Sequence, residues 1–318
     1  MATDLARSYR ACAQITRRAA RNFYFAFLSL PQAQRHAVYA LYAFCHEADD
    51  VADEGVPTPS SARENSSVVL SVGDAQEVGS GVRGKDSADL ARRRAGLETM
   101  RRRLTAAAQG NPTTLCDLAL ADAIARFGVQ EDDLRDVVAG VEMDLTATRI
   151  RTYDELQTYC YHVASAVGLA TLPILAGGVR PTEAMRNAAI NLGLGMQYVN
   201  VLRDVDEDLG MGRIYIPLEA LAAHGVDATQ LAARTMTDGL HAFVSAHAAL
   251  SRDLLARGRE LLADLPRSGR TCPWLLSEIY GRILERIVSA ENPLFGGRTS
   301  LPTSEKLWLL LSSSWRRA

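Results

Sequence analysis

Residues 31–54 read PQAQRHAVYALYAFCHEADDVADE, and the fold class follows from this stretch. Val38, Leu41, Tyr42 and Cys45 recur at the three- and four-residue steps of one helical face, behind a proline, Pro31, placed to open a helix. The stretch then ends in charge. Asp49, Asp50 and Asp53 follow the apolar face, and Asp49 and Asp53, four residues apart, lie on the same side of a helix, ~6 Å apart along its axis. Carboxylates so placed repel each other, and the spacing asks for a cation.

Outward from this segment the chain keeps a helical character. Hydrophobic residues make up 47% of its 318 positions and aromatic ones only 6%, a balance that suits packed helices better than sheets. Periodicity predicts further helices at about Leu90–Gln109, through Leu120 and Ile124, and at Glu131–Thr146, Tyr153–Leu175, Pro181–Leu209, Asp227–Leu265, Pro273–Ala290 and Ser304–Leu311. No strand period or repeat competes. Residues 55–86, interrupted by Pro57, Pro59 and several Gly and Ser, are expected to form a long mobile surface loop. The loop splits the sequence without dividing residues 1–318, which are expected to be one all-α domain.

Several function classes fall away on composition. Lys and Arg number 35 against 37 Asp and Glu, so there is no global attraction for nucleic acid. The five cysteines, Cys12, Cys45, Cys116, Cys160 and Cys272, are scattered without a CxxC pair, against a zinc site or a disulfide framework and in keeping with a reducing cytoplasm. Dinucleotide and P-loop motifs are absent, so nothing in the sequence supports NADPH use. No secretory signal or membrane span is expected. The apolar end, Lys306 to Leu311 with Trp315, Arg316 and Arg317 beside it, either docks as a last helix on the core or makes peripheral contact with a membrane surface.

A second acidic run, Asp204-Val205-Asp206-Glu207-Asp208, again closes an apolar segment. Gln197, Asn200, Asp204 and Asp208 step by three or four along one stripe, with Arg203 beside it. Gly193 continues the stripe and Gly195 lies to its side; they serve either tight helix packing or the passage of a long apolar chain. One acidic run alone reads equally as a solvated helix face, and the second, on another apolar helix, weakens that reading. Oxygen donors without His or Cys at matching spacing favour magnesium, with manganese as the alternative, over zinc.

The run from Tyr42 to Glu54 resembles the first signature of the squalene/phytoene synthases. Gln197 to Asp208, followed by Gly212-Arg213-Ile214-Tyr215-Ile216-Pro217, resembles their second. Phe23-Tyr24-Phe25-Ala26, Met143-Asp144-Leu145 and the run Tyr159 to Gly168 match in order, and Tyr280, Phe295 and Arg298 continue the pattern. The resemblance implies a helical isoprenoid-synthase fold with a central cavity and two Asp-rich motifs facing each other across its mouth. It implies that Asp49, Asp50, Asp53, Asp204 and Asp208, with Asn200, hold magnesium bridging to diphosphate, and that Gln197 and Asn200 position metal or substrate. Arg21, Arg203, Tyr280 and Arg298 match positions that touch the diphosphates, and Asn22, His46 and Tyr161 join that substrate-binding set. Tyr280 is grouped with Asp49, Asp53, Asp204 and Asp208 as catalytic. The family usually has Ser where this chain has Asn22 and Arg where it has His46, which acts either as a hydrogen-bonding substitute or as a base.

The implied activity joins two allylic isoprenoid diphosphates, C15 or C20, head to head through a cyclopropylcarbinyl diphosphate. Asp206 and Val163-Ala164-Ser165-Ala166-Val167-Gly168 lean towards bacterial squalene-pathway members. A head-to-tail elongase or a terpene cyclase shares the DDxxD pattern of 49–53 but not NxxRDxxxD and GRxYxP. A non-catalytic helical assembly or lipid-binding protein is the alternative outside enzymes, disfavoured by the intact carboxylates.

Overall fold

The computed structural model describes residues 2–19, 21–54, 82–146 and 149–315, with the backbone alone at 2, 21, 22, 54, 82–86, 314 and 315. Among these residues there is no strand, only an isolated parallel bridge between Arg149 and Ile214. The helices are α1 (Ala2–Ala19), α2 (Arg21–Phe27), α3 (Gln32–Glu54), α4 (Val82–Ala108), α5 (Leu115–Phe127), α6 (Glu131–Asp144) and α7 (Tyr153–Cys160). After a π turn (Tyr161–Ser165) come α8 (Ala166–Leu175), α9 (Glu183–Arg203), α10 (Val205–Gly210), α11 (Leu218–Ala223), α12 (Ala228–Ala232), α13 (Asp238–Gly258), α14 (Leu261–Asp264), α15 (Arg267–Val288) and α16 (Thr303–Trp315).

Two apolar helices organise the packing. Helix α3 buries Val38, Leu41, Phe44, Ala48 and Val51 against α1, α4, α5, α6 and α8. Helix α9 buries Leu192, Val199 and Leu202 and packs most extensively on α13, then on the π turn, α8 and α15. Helices α6 and α8 pack on each other and connect the two groups. Threonine side chains open four of the helices: Thr114 accepts from the Asp117 amide, Thr152 from Glu155, Thr182 from Met185 and Thr237 from Leu240. Each such cap contributes about 1 kcal/mol.

The segment Tyr153–Leu175 is apolar and long enough to cross a bilayer by length and composition, and 56% of its most apolar 18-residue stretch is buried here. It is the core element packed between α6 and α9. Its one irregularity is the π turn, held between two glycines. A Cβ on Gly140 would stand 2.8 Å from the His162 carbonyl carbon, and one on Gly193 would stand 2.6 Å from the Ser165 Cα. Gly193 thus serves close packing, as does Gly195, where a Cβ would stand 2.9 Å from the Leu255 nitrogen.

Several boundaries differ from the periodicity. Helix α4 begins at Val82 rather than near Leu90, so 82–86 is helical; pairing of Asp89 with Arg92 and Arg93 supports the following turns. The remainder of the expected loop, 55–81, lies outside the described residues. The segment 227–265 is three helices, because Asp227 and Thr237 each start a new helix through their side chains. Helix α15 begins at Arg267, and Pro273 stands inside it rather than at its start. Most consequentially, 181–209 is broken at Asp204, whose φ of −103° and ψ of 7° leave the helical region. Helix α16 docks on α15 and α2, burying Leu309 while Leu307, Trp308 and Leu311 face outward.

The close approach at Gly193 is testable. Gly193→Ala is expected to lower Tm by about 3–8 °C through overpacking against backbone. Gly281→Ala, with no atom within 4 Å of the added Cβ, should leave Tm unchanged or raise it. Equal melting temperatures for Gly193→Ala and the parent in a thermal scan would show that the π turn is not held this way.

Candidate active site

Helix α3 ends in Asp49, Asp50, Asp53 and Glu54 without a basic residue in its last turn. Carboxylates at a helix carboxyl end oppose the macrodipole as well as one another, each by roughly 0.3–1 kcal/mol. Helix α9 passes into α10 through the second acidic run in the same way. A cavity of ≈ 440 Å³ lies beside the end of α3, lined by Asp49, Asp53, Val141, Asp144 and Arg213 among others. A smaller one of ≈ 120 Å³ is lined by Gln197, Asn200, Asp204 and Asp208. Asp144 and Arg213 line both, so the two acidic sets meet across these residues.

A backbone clasp brings Asp144 and Arg213 together. The Ile150 amide donates to the Ile214 carbonyl (2.9 Å), Leu218 to Ile150 (3.2 Å) and Glu219 to Arg151 (3.0 Å). Gly212, at φ +71°, turns the chain after α10 into a conformation that other residues rarely adopt, and the Arg213 amide donates to Asp208 (2.8 Å). Tyr215 follows, and its hydroxyl donates to Asp144 (3.0 Å), as does that of Tyr159 (2.9 Å). The rings of Tyr159 and Tyr215 stack with centroids 4.9 Å apart.

Electrostatics reflect the crowding. Asp49 lines the larger cavity and keeps an exposed face there; desolvation by the dense protein around it first, then Asp144, Asp53 and Asp50, push its carboxyl up to about 8. Burial and then Asp204 push Asp208 up to about 7, with Arg213 opposing. Asp144 is also raised, because burial outweighs its two tyrosine donors and Arg213. The Asn200 Nδ2 donates to Gln197 Oε1 (2.8 Å), while the buried Asn200 Oδ1 has no hydrogen-bond partner. An acceptor without a donor beside two carboxylates fits a hard cation.

Among the described residues no three His, Cys, Asp or Glu side chains close on one point to hold an ion alone. Their oxygens are instead distributed around the two lobes, as suits magnesium, which keeps waters and binds through one or two carboxylates and substrate phosphate.

The other expected residues divide. Arg203 pairs through both Nε and Nη2 with Asp204, and Arg298 Nε lies 3.3 Å from the same carboxylate, so Asp204 is held by two arginines. Tyr280 is buried beside Arg203, its ring 6.4 Å from Phe23. His46 Nδ1 lies 3.5 Å from Asp50, and neither lines the two lobes. Tyr161 departs from the expectation: the π turn directs its hydroxyl to Asp136 (3.1 Å), and it lines neither lobe. The side chains of Arg21 and Asn22 lie outside the described residues. Asp144, Arg213, Tyr159 and Tyr215 had no individual roles in the sequence reading, although all four stand in the quoted motifs; a single Asp on an apolar helix shows its partners only once the clasp is formed.

Comparison with known proteins agrees with this arrangement. The family model for squalene/phytoene synthase matches residues 16–305. A 15-cis-phytoene synthase of Synechococcus elongatus is 31% identical over 96% of this chain and 91% of its own. A chloroplastic phytoene synthase of Zea mays is 30% identical over 95% of this chain, which spans 64% of that longer protein. A dehydrosqualene synthase solved in complex with ligand superposes with a TM-score of 0.79 at 27% identity, covering 99% of this chain and 98% of that one. Squalene synthase HpnC from Alicyclobacillus acidocaldarius, 24% identical, shares the fold with a TM-score of 0.75 over 90% of this chain and 94% of its own. The all-α architecture is thus that of the isoprenoid synthases, and the chain belongs to the squalene/phytoene synthase family.

Proposed function

We propose that this chain condenses two allylic isoprenoid diphosphates head to head, through a cyclopropylcarbinyl diphosphate, to a squalene- or phytoene-type product. The observation that carries the reading is the meeting of two carboxylate sets, Asp49 with Asp53 and Asp204 with Asp208, around lobes that share Asp144 and Arg213. Similarity to phytoene synthases of Synechococcus elongatus and Zea mays favours the C20 geranylgeranyl donor over C15 farnesyl diphosphate.

Asp49 and Asp53 on one side, and Asn200, Asp204 and Asp208 on the other, would hold magnesium, whereas Asp50, expected from the sequence as a further ligand, is turned to His46 and lines neither lobe. When bound, magnesium supplies charge neutralisation to the departing diphosphate. Arg203 and Arg298, now on Asp204, stand where they can pass donors to phosphate oxygens as Asp204 takes another partner. The rings of Phe23, Tyr42 and Tyr280 form an aromatic cluster, with Phe23 6.2 Å from Tyr42. Their faces suit a positively charged allylic carbon and exclude water from it. The second double bond attacks that carbon and a proton leaves to the released diphosphate, giving the cyclopropylcarbinyl diphosphate; loss of the second diphosphate, rearrangement and a second proton loss then give the joined product without a reductant. Holding the two substrates side by side would supply proximity.

The direct test is product analysis of purified protein given farnesyl or geranylgeranyl diphosphate. A joined C30 or C40 product is expected from one of them, lost in EDTA and restored by magnesium. Turnover undiminished in chelator, or chain elongation instead of joining, would sink the reading.

A second expectation concerns pH. The Asp49 carboxyl rises from the ordinary 3.8 to about 8 on folding without metal, so the folded state holds that proton more tightly. The metal-free fold therefore loses stability as pH rises through this window, whereas below about 4 the contribution is fully present. Asp49→Asn lacks the titration, so without metal its Tm should exceed the parent's by about 2–4 °C at pH 8, discounting for solvent screening at this site. The difference should narrow towards pH 5. A pH-independent difference between the two proteins would contradict the crowding described above.

A further inference from the structure

We infer that Arg213 grips the diphosphate held between the two carboxylate sets, an inference that rests on the diphosphate reading above. Among the described side chains, four arginines stand in or beside the cavity, and three are already engaged. Arg93 donates to Asp89 (2.6 Å) and to the Ala52 carbonyl. Arg203 makes its two-pronged contact with Asp204. Arg298 lies 3.3 Å from Asp204 and 3.7 Å from Glu207. Arg213 lines both lobes, yet among the described residues its guanidinium makes no hydrogen bond and no ion pair within 4 Å.

Its backbone, by contrast, is fixed on several sides. The Arg213 amide is bonded to Asp208, the Ile214 carbonyl to Ile150, and the Tyr215 hydroxyl to Asp144. A long side chain with five unengaged donors thus stands on an immobile base at the junction of the two acidic sets. A purely structural counter-charge would be expected to close onto one of the surrounding carboxylates. Arg213 instead acts on Asp144 and Asp208 only through its field.

A diphosphate entering this junction faces Asp49, Asp53, Asp144, Asp204 and Asp208 and requires cationic donors that no carboxylate already holds. The guanidinium fork matches two phosphate oxygens at once, which an ammonium cannot reproduce. Arg213 is therefore a substrate-binding residue whose donors are ready before the ligand arrives, whereas Arg203 and Arg298 must first leave Asp204.

The experiment is calorimetric titration of the full chain with inorganic pyrophosphate in the presence of magnesium, comparing the parent, Arg213→Met and Arg213→Lys, with Tm measured for each. Arg213→Met is expected to weaken pyrophosphate binding about 10- to 100-fold, the loss usual for a charge-assisted contact, with Arg213→Lys between it and the parent. Both variants should melt within a few degrees of the parent. Equal affinity in a folded variant, or a lowered Tm with affinity intact, would overturn the inference and make Arg213 a structural counter-charge. If Arg213→Met fails to fold, Arg213→Lys decides: weaker binding supports the inference and unchanged binding overturns it. A parent that binds no pyrophosphate would instead refute the diphosphate reading itself.

Discussion

Negative charge gathered at the carboxyl ends of two buried helices is the constraint to which the rest of the structure answers. Dipole and repulsion terms both disfavour it, at up to about 1 kcal/mol for each exposed group and more where water is excluded. The fold compensates at some distance from the cavity. Arg103 on α4 donates to Glu47 on α3 (2.7 Å), to Asp117 on α5 (2.8 and 3.1 Å) and to Thr114 (3.0 Å). Those contacts hold the Asp117 carboxyl below its usual range against the opposing effect of burial. The last turns of α3 are thereby anchored beside the acidic cluster by a network that leaves Asp49 and Asp53 open to the cavity.

The same contrast separates groups that support the site from groups that face it. Buried charges elsewhere are paired: Asp133 with Arg186 at 2.8 Å, and Asp117 with Arg103. Around the two lobes carboxylates crowd one another, and the Asn200 acceptor lacks a donor. A fold tolerates such a concentration of unmatched oxygen where a ligand completes it, and perturbed acidity marks the place.

Much of this was legible before any coordinates. The apolar period of 31–54 became α3, and both acidic runs came to one place, because helical spacing fixes which residues share a face. The failures have local causes. The straight stripe through Gln197, Asn200, Asp204 and Asp208 assumed one helix, and the backbone leaves that path at Asp204. Asp208 still faces the smaller lobe because its amide bonds to the Asp204 carbonyl (2.9 Å) and continues the helical course. Asp144 lay within a recognised motif, but its role depends on Tyr159 and Tyr215, the latter 71 positions away, and no local period reports that. Tyr161 was placed with the substrate by the family resemblance of the run Tyr159 to Gly168, and the π turn directs it to Asp136 instead.

That last departure has a consequence for how the protein could change over time. A π turn carries one residue more than the α-helix it interrupts, so it offsets everything before it by ~100° relative to everything after it. Here the offset lets Tyr159 reach Asp144 while Leu169 and Leu172 remain in the core. Removing a single residue between 161 and 165 would restore an unbroken hydrogen-bond ladder and leave the apolar composition almost intact. It would also rotate Tyr159 away from the acidic junction. Length is therefore a sensitive variable in this stretch beside the identity of buried Ser165: its residue count is held by a phase relation between the core and the site.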